Sequence, residues 1–252
     1  MQAQTFQERF YRTWCKSNHL IPFQVAIKET DLWLKAKRPL INETKELVFK
    51  YRAQLEKYIS LYPGFKKGLS PLPYDPFAPK LIKDMMIAGK KTGVGPMAAV
   101  AGAIAQTIGK GLLRYSEEII VENGGDIFIY VKRPIFISIF AGSSQVSNRL
   151  AICLSPSKMP IGVCTSSATI GHSLSQGKAD AVTVVAHDAA LADASATAIC
   201  NLIKTKSDVE IGINFAKKIK EILGVLIILK EYLAAWGQIK LIPIKRDAIS
   251  RK

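Results

Sequence analysis

Apolar positions along the chain recur with two periods. Residues 6–15 and 23–36 ("FQVAIKETDLWLKA") alternate apolar and polar side chains and carry β-formers, so strands are predicted there. Over 41–63 the spacing changes to three and four. Leu47, Tyr51, Leu55 and Tyr58 then fall on one face, which predicts a long helix starting at Asn42 or Thr44. Four prolines within 69–79 ("LSPLPYDPFAP") predict an irregular connection, either a linker or a covering loop. Helices are predicted over 79–91 and 96–113, then strands over 117–122, 127–132, 135–141 and 149–154. A short buried strand at 182–186 precedes an alanine-rich helix at 189–203, with Asp188 as its N-cap, and a helix at 208–222. "GVLIILK" and "IKLIPIK" read as closing strands, and "RDAISRK" as a frayed tail. Strands and helices arrive in mixed runs. The expected class is therefore α+β, a layered fold with a mixed or mostly antiparallel sheet and packed helices. The expected organisation is a single domain over 1–252, within which 1–68 would form an N-terminal layer joined through 69–79.

Composition narrows the classes. The 252 residues are 48% hydrophobic and 8% aromatic, enough for a sizeable core and too apolar for disorder. No stretch approaches the roughly 18 apolar residues of a membrane span, and the N-terminus lacks the apolar core of a signal peptide. Cys15, Cys153, Cys164 and Cys200 show no CxxC spacing, which argues against a zinc site and against a disulfide framework. A cytoplasmic location is expected. The net charge of +15 is spread as +7 over 1–70, +4 over 71–206 and +4 over 207–252, so its density is lowest where the unusual motifs lie. Such a surface attracts anions in general. No nucleic-acid-binding signature accompanies it, so sequence-specific nucleic acid is not an expected partner.

Four stretches interrupt this pattern. "ENGGDIFI" (122–129) places Asn123, Gly124, Gly125 and Asp126 between two apolar runs. A tight hairpin turn would explain it, and so would a backbone that approaches a ligand with Asn and Asp aimed at it. "AGKKTGVGPMAAVAGAIAQTIGKG" (88–111) sets Gly93 and Gly95 before Pro96 and a helix of small residues. That pattern fits close helix packing, and it also fits an anion site at a helix N-terminus. "IGVCTSSATIGHSLSQGKAD" (161–180) gathers Thr165, Ser166, Ser167, Thr169 and Ser173 around His172, a candidate catalytic group. No G-x-S-x-G elbow is present, which argues against a hydrolase triad. "AALADASATAIC" (189–200) sets Asp193 and Thr197 four apart on one helix face among small apolar residues. A carboxylate and a hydroxyl there form a hard-oxygen site suited to Mg²⁺. The plainer alternative is a solvated acid and a threonine bonded back into its own helix.

Together these stretches resemble an uncharacterised, widely distributed ApbE-like family of the UPF class, found in archaea and bacteria. The likeness runs from "ERFYR" and "IKETDLWL" through "GVGPMAAVAGAIA", "ENGGDIFI", "AGSS", "GVCTSSATIGHSLSQGKADAVTV" and "ALADASATAICN" to "GVLII" and "AAWGQIKL". That family is similar, more remotely, to the ApbE FAD:protein FMN transferases, which cleave FAD and pass FMN to a threonine or serine of a target protein with Mg²⁺. The transferases carry an "NxGGDI" stretch, a "TSG" element followed by a histidine segment, and an "ADxxxT" helix whose Asp and Thr bind the metal. The resemblance implies metal ligands at Asp193 and Thr197. It implies cofactor contacts at Gly93, Gly95, Asn123, Gly124, Gly125, Asp126, Thr165, Ser166 and Ser167, and a role for His172 in the chemistry. FAD or FMN with Mg²⁺ would be the cofactors, and a small anionic ligand such as a nucleotide the partner. Two departures bear on the activity. "GHSLSQGKAD" lacks the Ile-Asp-Pro that follows the transferases' histidine, and "GPMAAVAGA" lacks their lysine. A binding protein without transfer, or an enzyme acting on another anionic cofactor such as a pterin, therefore stand as alternatives.

Overall fold

The alternation over 23–36 folds as a hairpin, β1 (Ile21–Ile27) and β2 (Thr30–Ala36), turned at Lys28, whose φ is +51°. This computed structural model describes residues 19–142, 144, 146–168 and 177–244. The strand expected over 6–15, His172 and the tail after 244 lie outside the described residues. After the hairpin come α1 (Ile41–Leu61), α2 (Pro63–Lys67), α3 (Lys80–Thr92) and a 3₁₀ turn at Pro96–Ala99 that leads into α4 (Val100–Leu112). Strands β3 (Ile119–Asn123), β4 (Asp126–Tyr130), β5 (Ile135–Ser138), β6 (Leu150–Leu154), β7 (Ile161–Ser166) and β8 (Ala181–Ala186) follow. The chain closes with α5 (Ala189–Leu202), α6 (Asp208–Lys217), β9 (Ile222–Leu229), β10 (Tyr232–Gly237) and β11 (Lys240–Pro243).

Eight strands form one sheet in the order β1-β2-β3-β4-β7-β8-β9-β10, and every neighbouring pair is antiparallel. A smaller antiparallel sheet has the order β11-β6-β5. The large sheet is buried on both faces, so its central strands read as unbroken apolar runs. In β8, Val182, Val184 and Ala186 enter the core under the helices, while Ala181 and Val185 enter a second core shared with Ile137, Ile152 and Leu154 of the small sheet. Fold class and layering agree with the α+β expectation. The hairpin β1–β2 extends the same sheet, because β2 pairs with β3 from Leu32↔Asn123 to Ala36↔Ile119. The proline-rich 69–79 segment thus joins parts of one sheet and one core.

Several local expectations shift. The first long helix starts at Ile41, before either proposed cap. Thr44 is buried one turn in, and its hydroxyl donates to the Leu40 carbonyl at 2.6 Å. α6 stops at Lys217, five residues before the expected end. β7 and β10 were not foreseen: the hydroxyl-rich "IGVCTS" and the alanine-rich "YLAAWG" hide their period because neighbours in the sheet supply the apolar contacts.

A buried acid, Glu118, ties the start of β3 to the chain around it. Its carboxylate accepts from Lys37 Nζ at 2.6 Å, from His19 Nε2 at 3.1 Å and from the Lys132 amide at 2.8 Å. Burial alone would raise its pKa, but these donors outweigh burial and hold it down at about 2 against an ordinary 4.5. A depressed carboxylate stabilises the fold above its unfolded pKa, and that contribution is lost as pH falls through the folded value. Glu118→Gln should therefore destabilise the protein by about 2–3 kcal/mol at pH 7, with the deficit closing between about pH 4.5 and 2. Calorimetric melts of both proteins across that range are the check, and a pH-independent deficit would contradict the assignment.

Candidate functional site

The "ENGGDIFI" stretch is a two-residue hairpin turn. Asn123 pairs with Asp126, and Gly124 and Gly125 sit at φ of +69° and +103°, which only glycine adopts freely. The hairpin and the aimed side chains coexist. Asn123 and Asp126 are buried and lie on the helix-facing side of the sheet, with Val121 and Phe128. Asn123 Nδ2 donates to the Ala101 carbonyl at 3.1 Å, and Asp126 Oδ1 accepts the Thr165 amide at 3.3 Å. A Cβ at Gly124 or Gly125 would meet nothing within 4 Å, so these glycines serve the turn and leave open space beside it.

Over that face α4 and α5 pack almost backbone to backbone. A Cβ on Gly102 would lie 2.2 Å from the Ala189 carbonyl oxygen, and one on Gly162 of β7 would lie 2.4 Å from Ala189 Cα. Gly109 likewise leaves room for the Phe128 ring. The small-residue helix is thus required by packing. Gly93 and Gly95 also have local reasons. Gly93 closes α3 at φ +78°, and Gly95 is pressed on Gly68, whose carbonyl oxygen would be 1.8 Å from an added Cβ.

Each of these two helices caps the other. Asp193 of α5 accepts the Gly102 amide at 2.9 Å, and the Ala101 amide supports the same carboxylate. Both amides belong to the first turn of α4 and have no partner within their own helix. In return Gln106 of α4 accepts the Ala189 amide at 2.8 Å and donates to Asp188 at 2.7 Å, while Asp188 caps α5 through the Leu191 amide at 2.9 Å. Asp193 is consequently not the solvated acid of the plainer alternative.

Asp126 lies within the field of the Asp193 carboxylate. Burial pushes Asp193 up to about 7, against the two α4 amides that favour its charge. Burial and then the Asp193 charge push Asp126 well above the carboxylate range, against the Cys164 thiol and the Thr165 amide. Cys164, which donates to the Ala189 carbonyl at 3.3 Å, is itself raised by burial and by the two acids. Among the described residues, none of the main groups shaping these acids is a cation.

Structure therefore brings together Asn123, Asp126, the Thr165 amide, Asp193 and the amides at the start of α4, together with two groups that the motifs did not single out: Gln106 and Cys164. Gln106 had one visible signal, as a long polar side chain in the middle of a small-residue helix. The Thr165 hydroxyl turns to the opposite face and meets Thr183 Oγ1 at 2.9 Å. Ser166 points to the helix side, and its buried Oγ has no hydrogen-bond partner among the described residues. Ser167 is half-buried at the end of β7. Thr197 is half-buried one turn beyond Asp193, and no hydrogen bond of its side chain is found among the described residues. His172 lies outside them.

Whether Mg²⁺ suits this site can be judged from the donors. Asp193, Asp126, the unpartnered Ser166 hydroxyl and Thr197 offer hard oxygens. Among the described residues no group of three or more His, Cys, Asp or Glu side chains is arranged to hold a metal. A cation here would draw on hydroxyls, waters and ligand phosphates, as Mg²⁺ does and zinc does not. In that limited sense the residues fit.

Comparison with known proteins places this geometry in a lineage. The chain belongs to the family described as AbpE bacteria, whose model matches residues 12–222. It is 40% identical over 222 residues to the UPF0280 protein MJ1526 of Methanocaldococcus jannaschii, covering 86% of this chain and 90% of that one. It is 42% identical over 179 residues to a UPF0280 protein of Methanospirillum hungatei, covering 70% and 73%. In fold it is similar to the flavin transferase ApbE of Vibrio cholerae, with a TM-score of 0.56 and 14% identity over 88% of this chain and 97% of that one. The ApbE protein of Thermotoga maritima gives a TM-score of 0.56 and 14% identity over 85% and 96%.

Two substitutions test the packing and the charge. Gly102→Ala drives a methyl into the Ala189 backbone and should destabilise by about 2–3 kcal/mol, measured by denaturant titration. For Asp193 the sign follows from its raised pKa. The folded chain holds an extra proton between the ordinary 3.8 and about 7, so stability declines as pH rises through that window. Asp193→Asn keeps an acceptor for the α4 amides and removes the charge. It should raise the metal-free Tm at pH 8 by roughly 3–10 °C, or about 1–3 kcal/mol, and change little at about pH 3.5, below the ordinary 3.8. An equal loss at both pH values would show that the carboxylate is a net structural asset.

Proposed function

We propose that this member of the family binds a flavin, or another phosphate-bearing nucleotide, with Mg²⁺ beside Asp126 and Asp193, and transfers a nucleotidyl or FMN group to a hydroxyl acceptor. One observation carries this: two buried carboxylates, Asp126 within the field of Asp193, with no cation among the main groups shaping them in the described residues, and Asp193 held in place by the first amides of α4. A divalent metal would answer the charge pair, and a ligand phosphate would supply the further oxygens Mg²⁺ prefers. The transferase fold supports the choice of flavin.

Asp193 and Thr197 would hold the Mg²⁺, which when bound neutralises charge developing on a departing phosphate. The chain's own residues prepare the rest. Asn123 fixes the Ala101 carbonyl and so the start of α4, whose amides and dipole favour negative charge. The open space beside Gly124 and Gly125 leaves room for a ligand at the hairpin. Ser166 ends β7, Ser167 follows it, and His172, five residues further on, is proposed to accept the proton of the attacking hydroxyl. In the transfer, the acceptor oxygen bonds to the FMN phosphorus and the pyrophosphate P–O bond breaks, so that AMP leaves.

A second reading, binding without transfer, rests on "GHSLSQGKAD", which lacks the transferases' Ile-Asp-Pro. FAD and Mg²⁺ separate the two. Incubated with FAD, the protein should release AMP, followed by chromatography, only when Mg²⁺ is present. Asp193→Ala should abolish that release. Thr197→Val, which removes a neutral ligand, should slow it about tenfold. FAD that raises the Tm but is never cleaved would establish the binding protein, and FAD with no effect on either would reject the nucleotide assignment.

A further inference from the structure

We propose that the groove between the end of α1, α2 and the proline-rich 69–79 segment docks an acidic, extended segment of a partner protein through an apolar anchor side chain. The groove has a volume of about 660 Å³, and its walls include Tyr58, Tyr62, Phe65, Tyr74, Pro63 and Pro73. It is preformed. The Tyr58 ring stacks edge-on to Phe65 at 5.1 Å and lies 4.7 Å from Tyr62. The Tyr58 hydroxyl donates to Asp75 Oδ2 at 3.0 Å, and Asp75 Oδ1 accepts the Phe77 amide at 2.8 Å, which pins the proline segment to α1.

Around this rigid floor stand large apolar side chains with little cover: Leu61 is 64% exposed, Tyr62 53%, Tyr74 50% and Phe77 95%. A contiguous apolar patch of this kind marks an interaction site on a folded protein. Walls of proline and aromatic rings suit an extended chain, which lies along such a groove without needing to fold first.

Charge selects the occupant. Lys57, Lys66 and Lys67 are exposed and stand beside the lining residues Tyr58 and Phe65 in sequence, and no acid pairs with them among the described residues. Lys80 is held by Asp84 at 2.8 Å. Three unpaired lysines against one lining carboxylate, Asp75, leave the surroundings net positive, which favours an acidic partner. A second copy would bring the same lysines and a net +15 of its own. Single-stranded nucleic acid also stacks on aromatic rings beside cations. However, residues 57–83 contain no arginine, the cation best suited to stack on bases and pair with phosphate. The proposal is independent of nucleotide binding at Asp193.

A random dodecapeptide display library panned on the immobilised full chain, with counter-selection on Tyr62→Ser/Tyr74→Ser, tests this. Both tyrosines are about half exposed, so the double variant should keep the parental Tm, which is checked first. Enriched peptides should carry net negative charge and at least one aromatic or leucine side chain. Their affinity, read by fluorescence anisotropy, should fall at least about tenfold (roughly 1.4 kcal/mol) in the double variant and in Lys66→Glu/Lys67→Glu, and stay unchanged in Asp193→Ala. The proposal is overturned if no peptide is enriched, if the enriched peptides are neutral or basic, or if the double variant binds them equally. It is also overturned if oligothymidylate binds the patch more tightly than any peptide, or if sedimentation shows self-association that the tyrosine substitutions abolish.

Discussion

Everything at the centre of this molecule depends on how closely α4 and α5 cross. With Gly102 against the Ala189 carbonyl there is no room for side chains between the two backbones, nor for water to satisfy their terminal amides. The helices solve this by exchanging partners. Asp193 receives the opening amides of α4, and Gln106, with Asp188, receives those of α5. A buried amide without an acceptor costs about 1–3 kcal/mol, so the two helix starts hold each other in place. The crossing then presses Ala189 onto Gly162 of the sheet and fixes where Asp126 and Asn123 look. Any change that spreads the helices would loosen the caps, the sheet contact and the hairpin together.

This geometry also explains the uneven charge of the chain. Residues 71–206 supply most of the crossing helices and the central strands, so few of their positions can carry a solvated lysine. Several polar groups that remain there have a defined partner, as Asn123 does in the Ala101 carbonyl and Asp188 in the Leu191 amide. The basic excess is left to the periphery, including α1, α2 and the end of α6, where lysines are exposed.

Much of this was legible in the sequence, and the missing parts share a cause. Helix α5, the strand β8 and the Asp188 cap could be read from local period and chemistry alone, because short-range rules govern them. The hairpin at Gly124–Gly125 could be read too, although one sequence served two purposes: the turn demands the glycines, and the burial of its flanks aims Asn123 and Asp126. What local reasoning could not reach were contacts between distant positions. Asp193 meets Gly102 across 91 residues, Gln106 meets Ala189 across 83, and Gly95 is small because Gly68 occupies the space. β7 escaped for the same reason, since its strand character comes from β4 and β8 on either side. A helix N-terminus suited to an anion was foreseen at 96, but the anion that occupies it, a carboxylate of the chain itself, was not.

The glycines and alanines of the site are explained by packing, and that leaves the two acids as the part the fold does not require. A single neutral acceptor at 193 would satisfy the α4 amides, and an apolar residue at 126 would suit a position buried among Phe128, Cys164 and α5. Instead two carboxylates sit within each other's field and out of water, and burial raises both. Removing a charge from water without a compensating partner is among the least favourable things a core can contain. Neighbouring hydrogen bonds soften this without removing it, because the Thr165 amide and the Cys164 thiol serve Asp126 while the α4 amides serve Asp193. The core tolerates them by protonation, because burial makes each acid hold a proton that an ordinary carboxylate would release. A cation bound beside them would displace that proton, which is the physical basis of the proposed Mg²⁺ site.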